Sequence, residues 1–245
     1  MSLSGRTAVV TGAAGAIGSA VTRALLSQGA HVVAIDIAQG LDPEGDLSLP
    51  GTSWVYLDLA DPVAVGSIAL DLTTRFGSID ILVNNAGVLS NNKIAETALD
   101  EWRRVNGINV EAAFLLIQSF LPAMRRKKWG RIINMSSYAA KSGGLTAGTA
   151  YSVSKSALIG LTFSTARETA GQGITANAIA PAYVMSRMVS EQLTEAQRQH
   201  QLAQIPVGRF CEPEEVAHAV AFLASPLAGF ITGEVIDMNG GLHFD

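Results

Sequence analysis

Residues 7–36 constrain this chain more than any other stretch. A short apolar strand at 7–10 runs into Thr11-Gly12-Ala13-Ala14-Gly15-Ala16-Ile17-Gly18. A helix follows at 19–28 and stops at Gly29, and a second apolar strand at 31–35 ends in Asp36. This is a β-α-β unit whose first turn is built from small residues. Such a turn lets a pyrophosphate approach backbone N–H groups at the positive end of a helix. A carboxylate at the end of the second strand accepts hydrogen bonds from an adenosine ribose diol and repels a 2′-phosphate. Asp36 stands 24 residues after Gly12, close to the spacing that role requires.

The rest of the chain repeats the alternation. Strands are expected at 54–57, 79–83, 131–135, 175–179 and 231–238. Helices are expected from Pro62 to about 76, from 99 to 128, from the Tyr151 region to about 171, and after Glu212-Pro213-Glu214-Glu215. Residues 37–53, with Gly40, Pro43, Gly45, Pro50 and Gly51, are expected to be irregular. The pattern predicts one α/β domain over 1–245: a parallel, doubly wound sheet with right-handed crossovers and helices on both faces. Ligands bind such sheets at the carboxyl ends of the strands. Gly12, Asp36, Asp58, Asn85, Ser137 and Pro181 all fall there. Residues 182–210 have weaker apolar spacing, with Met185 and Met188 among polar residues, and are expected to form a lid over the ligand.

Composition excludes several classes. A net charge of −4 and a pI near 5.6 argue against a nucleic-acid partner. The four histidines show no metal-ligand spacing, so no metal is expected. Cys211 is the one cysteine, which fits a cytoplasmic setting. The longest apolar run, 112–124, is shorter than the roughly 20 residues of a membrane span, so no membrane partner is expected. Charged residues at only 16% and a mean hydropathy of +0.28 suggest apolar surface covered by other subunits.

Tyr151-Ser152-Val153-Ser154-Lys155 carries candidate chemistry. A tyrosine and a lysine four apart on a helix share a face. An ammonium beside a phenol favours the phenolate and lowers a pKa that is ordinarily about 10. The pair could then exchange a proton with an alcohol or a carbonyl near neutral pH.

With these motifs in order, the chain resembles the short-chain dehydrogenase/reductase family along almost its whole length. Thr11 to Gly18 is similar to the family's cofactor turn, with Ala16 where the middle glycine is usual. Asn84-Asn85-Ala86-Gly87 matches its fourth-strand motif. Asn109 and Ser137 stand at its catalytic asparagine and serine positions, Tyr151 to Lys155 is its signature, and 181–186 resembles its nicotinamide-side loop. The resemblance implies a Rossmann fold and a catalytic set of Asn109, Ser137, Tyr151 and Lys155. It implies a cofactor site of Gly12, Gly15, Ile17, Gly18, Asp36, Asp58, Leu59, Asn85, Ala86, Gly87, Tyr151, Lys155, Pro181, Val184 and Ser186.

In that reading Tyr151 is the general acid–base and Ser137 steadies the substrate oxygen. Lys155 lowers the tyrosine pKa and binds the nicotinamide ribose, and Asn109 holds a relay water. No Lys or Arg lies between Arg23 and Arg75. With Asp36, this predicts NAD(H) over NADP(H) by at least about tenfold, or about 1.4 kcal/mol. The expected activity is interconversion of a small-molecule secondary alcohol and ketone, in a homotetramer. The C-terminal half resembles both 3-oxoacyl-thioester reductases and polyol dehydrogenases, so thioester reduction is the alternative. A non-catalytic NAD-binding regulator is the alternative of another class. A sugar-nucleotide epimerase is disfavoured, because about sixty residues follow Pro181.

Overall fold

The structure is a computed structural model that describes residues 2–38, 49–185 and 194–244. Seven strands form one all-parallel sheet: β1 (Thr7–Thr11), β2 (His31–Asp36), β3 (Thr52–Tyr56), β4 (Ile81–Asn84), β5 (Gly130–Met135), β6 (Ile174–Pro181) and β7 (Val235–Met238). Their spatial order is β3-β2-β1-β4-β5-β6-β7. Successive crossovers run outward in one direction as far as β3 and in the other from β4, so the order reverses between β1 and β4. That reversal opens a crevice at the carboxyl ends of the two strands.

The central strands are apolar on both faces because both faces are covered. Ala8 and Val10 point into one core layer, where helix α1 (Ala16–Ser27) packs with a C-terminal helix, Pro213–Ala224. Val9 points into the other, with α2 (Pro62–Phe76) and the long helix ending at Lys127. The helix starts follow local chemistry. Asp61 accepts hydrogen bonds from the N–H groups of Val63 (2.9 Å) and Ala64 (3.1 Å), with Pro62 at the first helical position. Glu212 and Glu215 form a reciprocal capping box before the C-terminal helix.

The helix expected over 99–128 is present, with an interruption. It comprises α3 (Leu99–Asn106), one π-helical turn at Gly107–Glu111, and α4 (Ala112–Lys127). By length and composition, Leu99–Lys127 could cross a membrane. Here its Leu116, Phe120 and Met124 are fully buried in the core against the sheet. Among the described residues, the remaining α-helices are α5 (Ala139–Ser142), α6 (Thr149–Thr169), α7 (Glu195–Leu202) and α8 (Pro213–Ala224). The last strand is shorter than expected. Gly233, at φ +76°, breaks the extended backbone, so 231–234 is a connection and only Val235–Met238 pairs. Of the stretch 37–53 expected to be irregular, 39–48 lies outside the described residues, and Thr52 and Ser53 already belong to β3. The architecture is the doubly wound Rossmann type read from the alternation.

Candidate active site

A continuous cleft runs across the carboxyl ends of the strands. It has two chambers that share Ile17, Asn85 and Gly87. The larger, about 950 Å³, is lined by Gly12, Gly15, Gly18, Asp36, Asp58, Leu59 and Ala86, among others. Its floor is tightly built. The Thr11 hydroxyl accepts hydrogen bonds from the N–H groups of Asn85 (3.1 Å) and Ala86 (3.0 Å). The Asn85 amide donates back to the carbonyls of Thr11 (2.9 Å) and Gly12 (3.1 Å). The side chain of Asn85 is therefore a staple between β1 and β4.

A Cβ on Gly18 would lie 2.0 Å from the Gly12 carbonyl oxygen, so only glycine allows α1 to start this close to the turn. A Cβ on Gly15 meets nothing nearer than 3.4 Å. Ala16, at the departure from the family's glycine pattern, is the first residue of α1. The helix start has no side-chain cap, so its leading N–H groups are open to an anion. Asp36 accepts from Ala14 N–H (3.0 Å) and Ala38 N–H (2.9 Å), which holds its carboxylate at the chamber wall. A bare helix start and a fixed carboxylate at the second strand's end fit a dinucleotide. Arg104, which the sequence reading did not single out, also lines this chamber. It reaches it from α3, one turn before Ile108.

The smaller chamber, about 560 Å³, is lined by Ser137, Tyr151, Lys155, Pro181 and Val184. Around them stand Leu89, Asn91, Tyr138, Leu145, Thr146, Tyr183 and Gln201. These come from loops whose shape sequence alone does not give. Ser186 lies outside the described residues, as does much of the expected lid. Among its described parts, Tyr183 to Met185 pairs with Cys211, and α7 contributes Gln201.

Ser137 hydrogen-bonds the Tyr151 phenol. Lys155 is buried and donates to the Met135 carbonyl at the end of β5, at 2.7 Å. Its Nζ stands 5.7 Å from the centroid of the Tyr151 ring. The electrostatics differ from the expectation that the ammonium pulls the phenol down. Burial pushes Tyr151 up, and the Ser137 hydrogen bond offsets part of this. Burial also lowers Lys155, to about 8. Desolvation outweighs the pairing because the lysine turns toward β5 rather than onto the phenol oxygen.

Asn109 sits in the π-turn, where the extra residue in the helix turn re-aims the side chain. Its Oδ1 accepts from Val88 N–H (2.8 Å), and its Nδ2 donates to the Val88 carbonyl (3.2 Å) and to Ser154 Oγ (2.9 Å). A Cβ on Gly87 would lie 3.2 Å from Lys155 Nζ and 3.3 Å from Asn109 Oδ1, so both atoms face one small gap above Gly87. The structure thus brings together all four candidate catalytic residues.

Three comparisons bear on this arrangement. The profile of a family described as Enoyl-(Acyl carrier protein) reductase matches residues 12–243. Curated relatives include the 3-oxoacyl-[acyl-carrier-protein] reductases FabG of Vibrio cholerae serotype O1, 38% identical, and Escherichia coli strain K12, 37% identical. Each alignment covers 99% of both chains. A solved structure with TM-score 0.89 and 36% identity covers 98% of both chains. It is described as a putative NAD(P)-dependent gluconate 5-dehydrogenase from Beutenbergia cavernae with NADP bound at low occupancy.

The depressed lysine sets a pH dependence of stability. Unfolded lysine titrates near 10.4 and Lys155 near 8, so between these values the unfolded chain binds more protons and stability rises with pH. Against Lys155→Met, the wild type should gain up to about 3 kcal/mol across that window. Denaturant unfolding of both proteins at pH 7, 8, 9 and 10 checks this. Parallel pH profiles would mean that no proton is lost from Lys155 on folding.

Proposed function

The chain belongs to the short-chain dehydrogenase/reductase family, and from that premise we propose that it reduces a 3-oxoacyl thioester to the 3-hydroxyacyl thioester. This narrows the wider reading of secondary alcohol and ketone interconversion. The curated relatives favour it, since their printed names are 3-oxoacyl-[acyl-carrier-protein] reductases. The observation that carries the chemistry is the convergence of the Ser137 and Tyr151 hydroxyls, hydrogen-bonded to each other, on the chamber that adjoins the dinucleotide cradle. Two hydroxyls meeting at one point suit the single oxygen of a carbonyl.

A bound nicotinamide supplies the hydride in reduction and accepts it in the reverse direction. Tyr151 donates the proton to the carbonyl oxygen; the phenol is protonated at neutral pH, and the Ser137 hydrogen bond offsets part of the burial that weakens it as an acid. Ser137 donates a hydrogen bond to the same oxygen as negative charge develops. Lys155 offers its remaining N–H groups to the cofactor's ribose side and to the gap above Gly87. A water there, shared with Asn109, returns a proton to the site. Asn109 also positions the loop after β4 through Val88.

For the cofactor we propose NAD(H). The fixed carboxylate of Asp36 is disposed toward a ribose diol and repels a 2′-phosphate. The solved relative, described with NADP, supports the opposite preference and makes the experiment necessary. That relative's description also supports a second substrate reading, a keto sugar acid. The protein is proposed to act in the cytoplasm, as a homotetramer. Phe114 on α4 and Phe163 on α6 are half exposed, and Phe230 and Leu227 beside β7 are almost wholly so. Exposed apolar side chains on α4 and α6 and in the segment before β7 suit subunit contacts.

Three measurements test this reading. Absorbance at 340 nm with acetoacetyl-CoA and a panel of keto sugar acids and polyols should detect turnover. Tyr151→Phe should lower it at least about 1000-fold, and residual activity near wild type would remove the tyrosine from the chemistry. Asp36→Arg should shift the ratio of kcat/KM from NADH toward NADPH by at least about tenfold; an unchanged ratio would refute the ribose contact. Light scattering at micromolar concentration should give a tetramer, and a monomer would overturn the subunit assignment.

A further inference from the structure

The substrate chamber has one wall whose shape needs explaining. Leu145, Thr146 and Ala147 line it, on a connection between α5 and α6 that contains no regular structure. Two backbone hydrogen bonds tie the end of that connection to the loop after β4. Gly148 N–H donates to the Ser90 carbonyl (2.7 Å) and Thr149 N–H to the Asn92 carbonyl (3.0 Å). The approach is close: a Cβ on Gly148 would lie 2.6 Å from the Asn92 carbonyl oxygen. The middle of the wall is held differently. Lys93 Nζ donates to the carbonyls of both Gly144 (2.7 Å) and Ala147 (2.6 Å), spanning the stretch that faces the substrate.

Lys93 is itself on a fixed base. Glu101, on α3, accepts from the Ser90 hydroxyl and from Asn92 Nδ2 (2.7 Å), and these two bonds hold its carboxyl below the usual range. Thr97 donates to the carbonyls of Asn92 (3.1 Å) and Lys93 (2.8 Å). A chain of side-chain and backbone contacts thus runs from α3, through the loop after β4, to the wall and to Thr149, two residues before Tyr151.

We propose that Lys93 is a specificity-determining positioning residue: its ammonium clamps the 144–147 wall, with Glu101 as the clamp's anchor, and so sets the width of the substrate chamber. Lys93 touches neither of the reacting hydroxyls and does not itself line the chamber. It acts through Leu145, Thr146 and Ala147. An ammonium is suited to this because its three donors reach two carbonyls at once without a fixed plane. Loss of the clamp frees the wall while the cofactor cradle, built from β1, β2 and β4, keeps its own staples. Substrate binding is therefore expected to weaken while cofactor binding holds. The assignment rests on the chamber being the substrate site.

The test uses the full-length protein as wild type, Lys93→Met, Lys93→Arg and Glu101→Gln. Amide hydrogen exchange of 145–149 needs no turnover. Lys93→Met should speed it by about tenfold or more, and Glu101→Gln and Lys93→Arg, whose donors lie in a fixed plane, by less. With acetoacetyl-CoA, Lys93→Met should raise KM about fivefold or more with kcat within about twofold, and leave NADH affinity by fluorescence unchanged. Wild-type exchange rates in Lys93→Met would overturn the clamp. So would a joint fall in kcat, NADH affinity and unfolding midpoint, which marks a general structural role. If wild type turns over nothing in the panel, the proposed function fails, and exchange still decides the clamp.

Discussion

A buried ammonium organises this active site. Lys155 leaves water on a helix and ends 2.7 Å from the Met135 carbonyl. Taking a charge out of water is expensive unless its donors are used. One donor is spent on β5, which fixes α6 to the carboxyl end of the sheet. Lys155 Nζ also borders the gap above Gly87, as does Asn109 Oδ1. The burial that lowers Lys155 to about 8 is the same burial that raises the neighbouring phenol. Both groups are thereby shifted toward their neutral forms, the tyrosine as an acid with a proton to give.

Around this point the fold supplies fixed partners. The switch between β1 and β4 opens the crevice, and the reciprocal bonds of Thr11 and Asn85 hold its floor. The π-turn in the long helix turns Asn109 inward against Val88 and Ser154. Glu101 and Lys93 carry the same logic outward to the loops. Thr11, Asn85, Asn109 and Lys93 each use a side chain to satisfy backbone groups outside the regular ladders, and Glu101 holds the side chains of Ser90 and Asn92.

Much of this was legible beforehand, for definite reasons. Apolar runs of strand length, separated by helical spacing, have few ways to bury both sheet faces. The glycine turn before Asp36 names its partner chemistry by size and charge. The four candidate catalytic residues were readable because their types and order carry the family resemblance. The π-turn was not legible, because a helix with one added residue keeps nearly the same apolar pattern. The staple that Asn85 makes was not legible, since an amide after a strand reads the same whether it bonds a cofactor or the adjoining turn; here Asn85 lines the cleft and also holds its floor. Lys93 and Glu101 carry no sequence signal, because their partners are backbone carbonyls or polar side chains in loops.

The sequence by itself determined the α/β alternation, the parallel sheet and the residue types at its carboxyl edge. These follow from local periodicity and from small residues where only small residues fit. Tertiary structure alone decided which way each polar side chain turned. Lys155 bonds β5 rather than the phenol beside it, and burial rather than the Tyr-Lys pairing sets the direction in which both pKa values move. The physical reason is that desolvation depends on everything packed around a group, and spacing along a helix specifies only which face it shares.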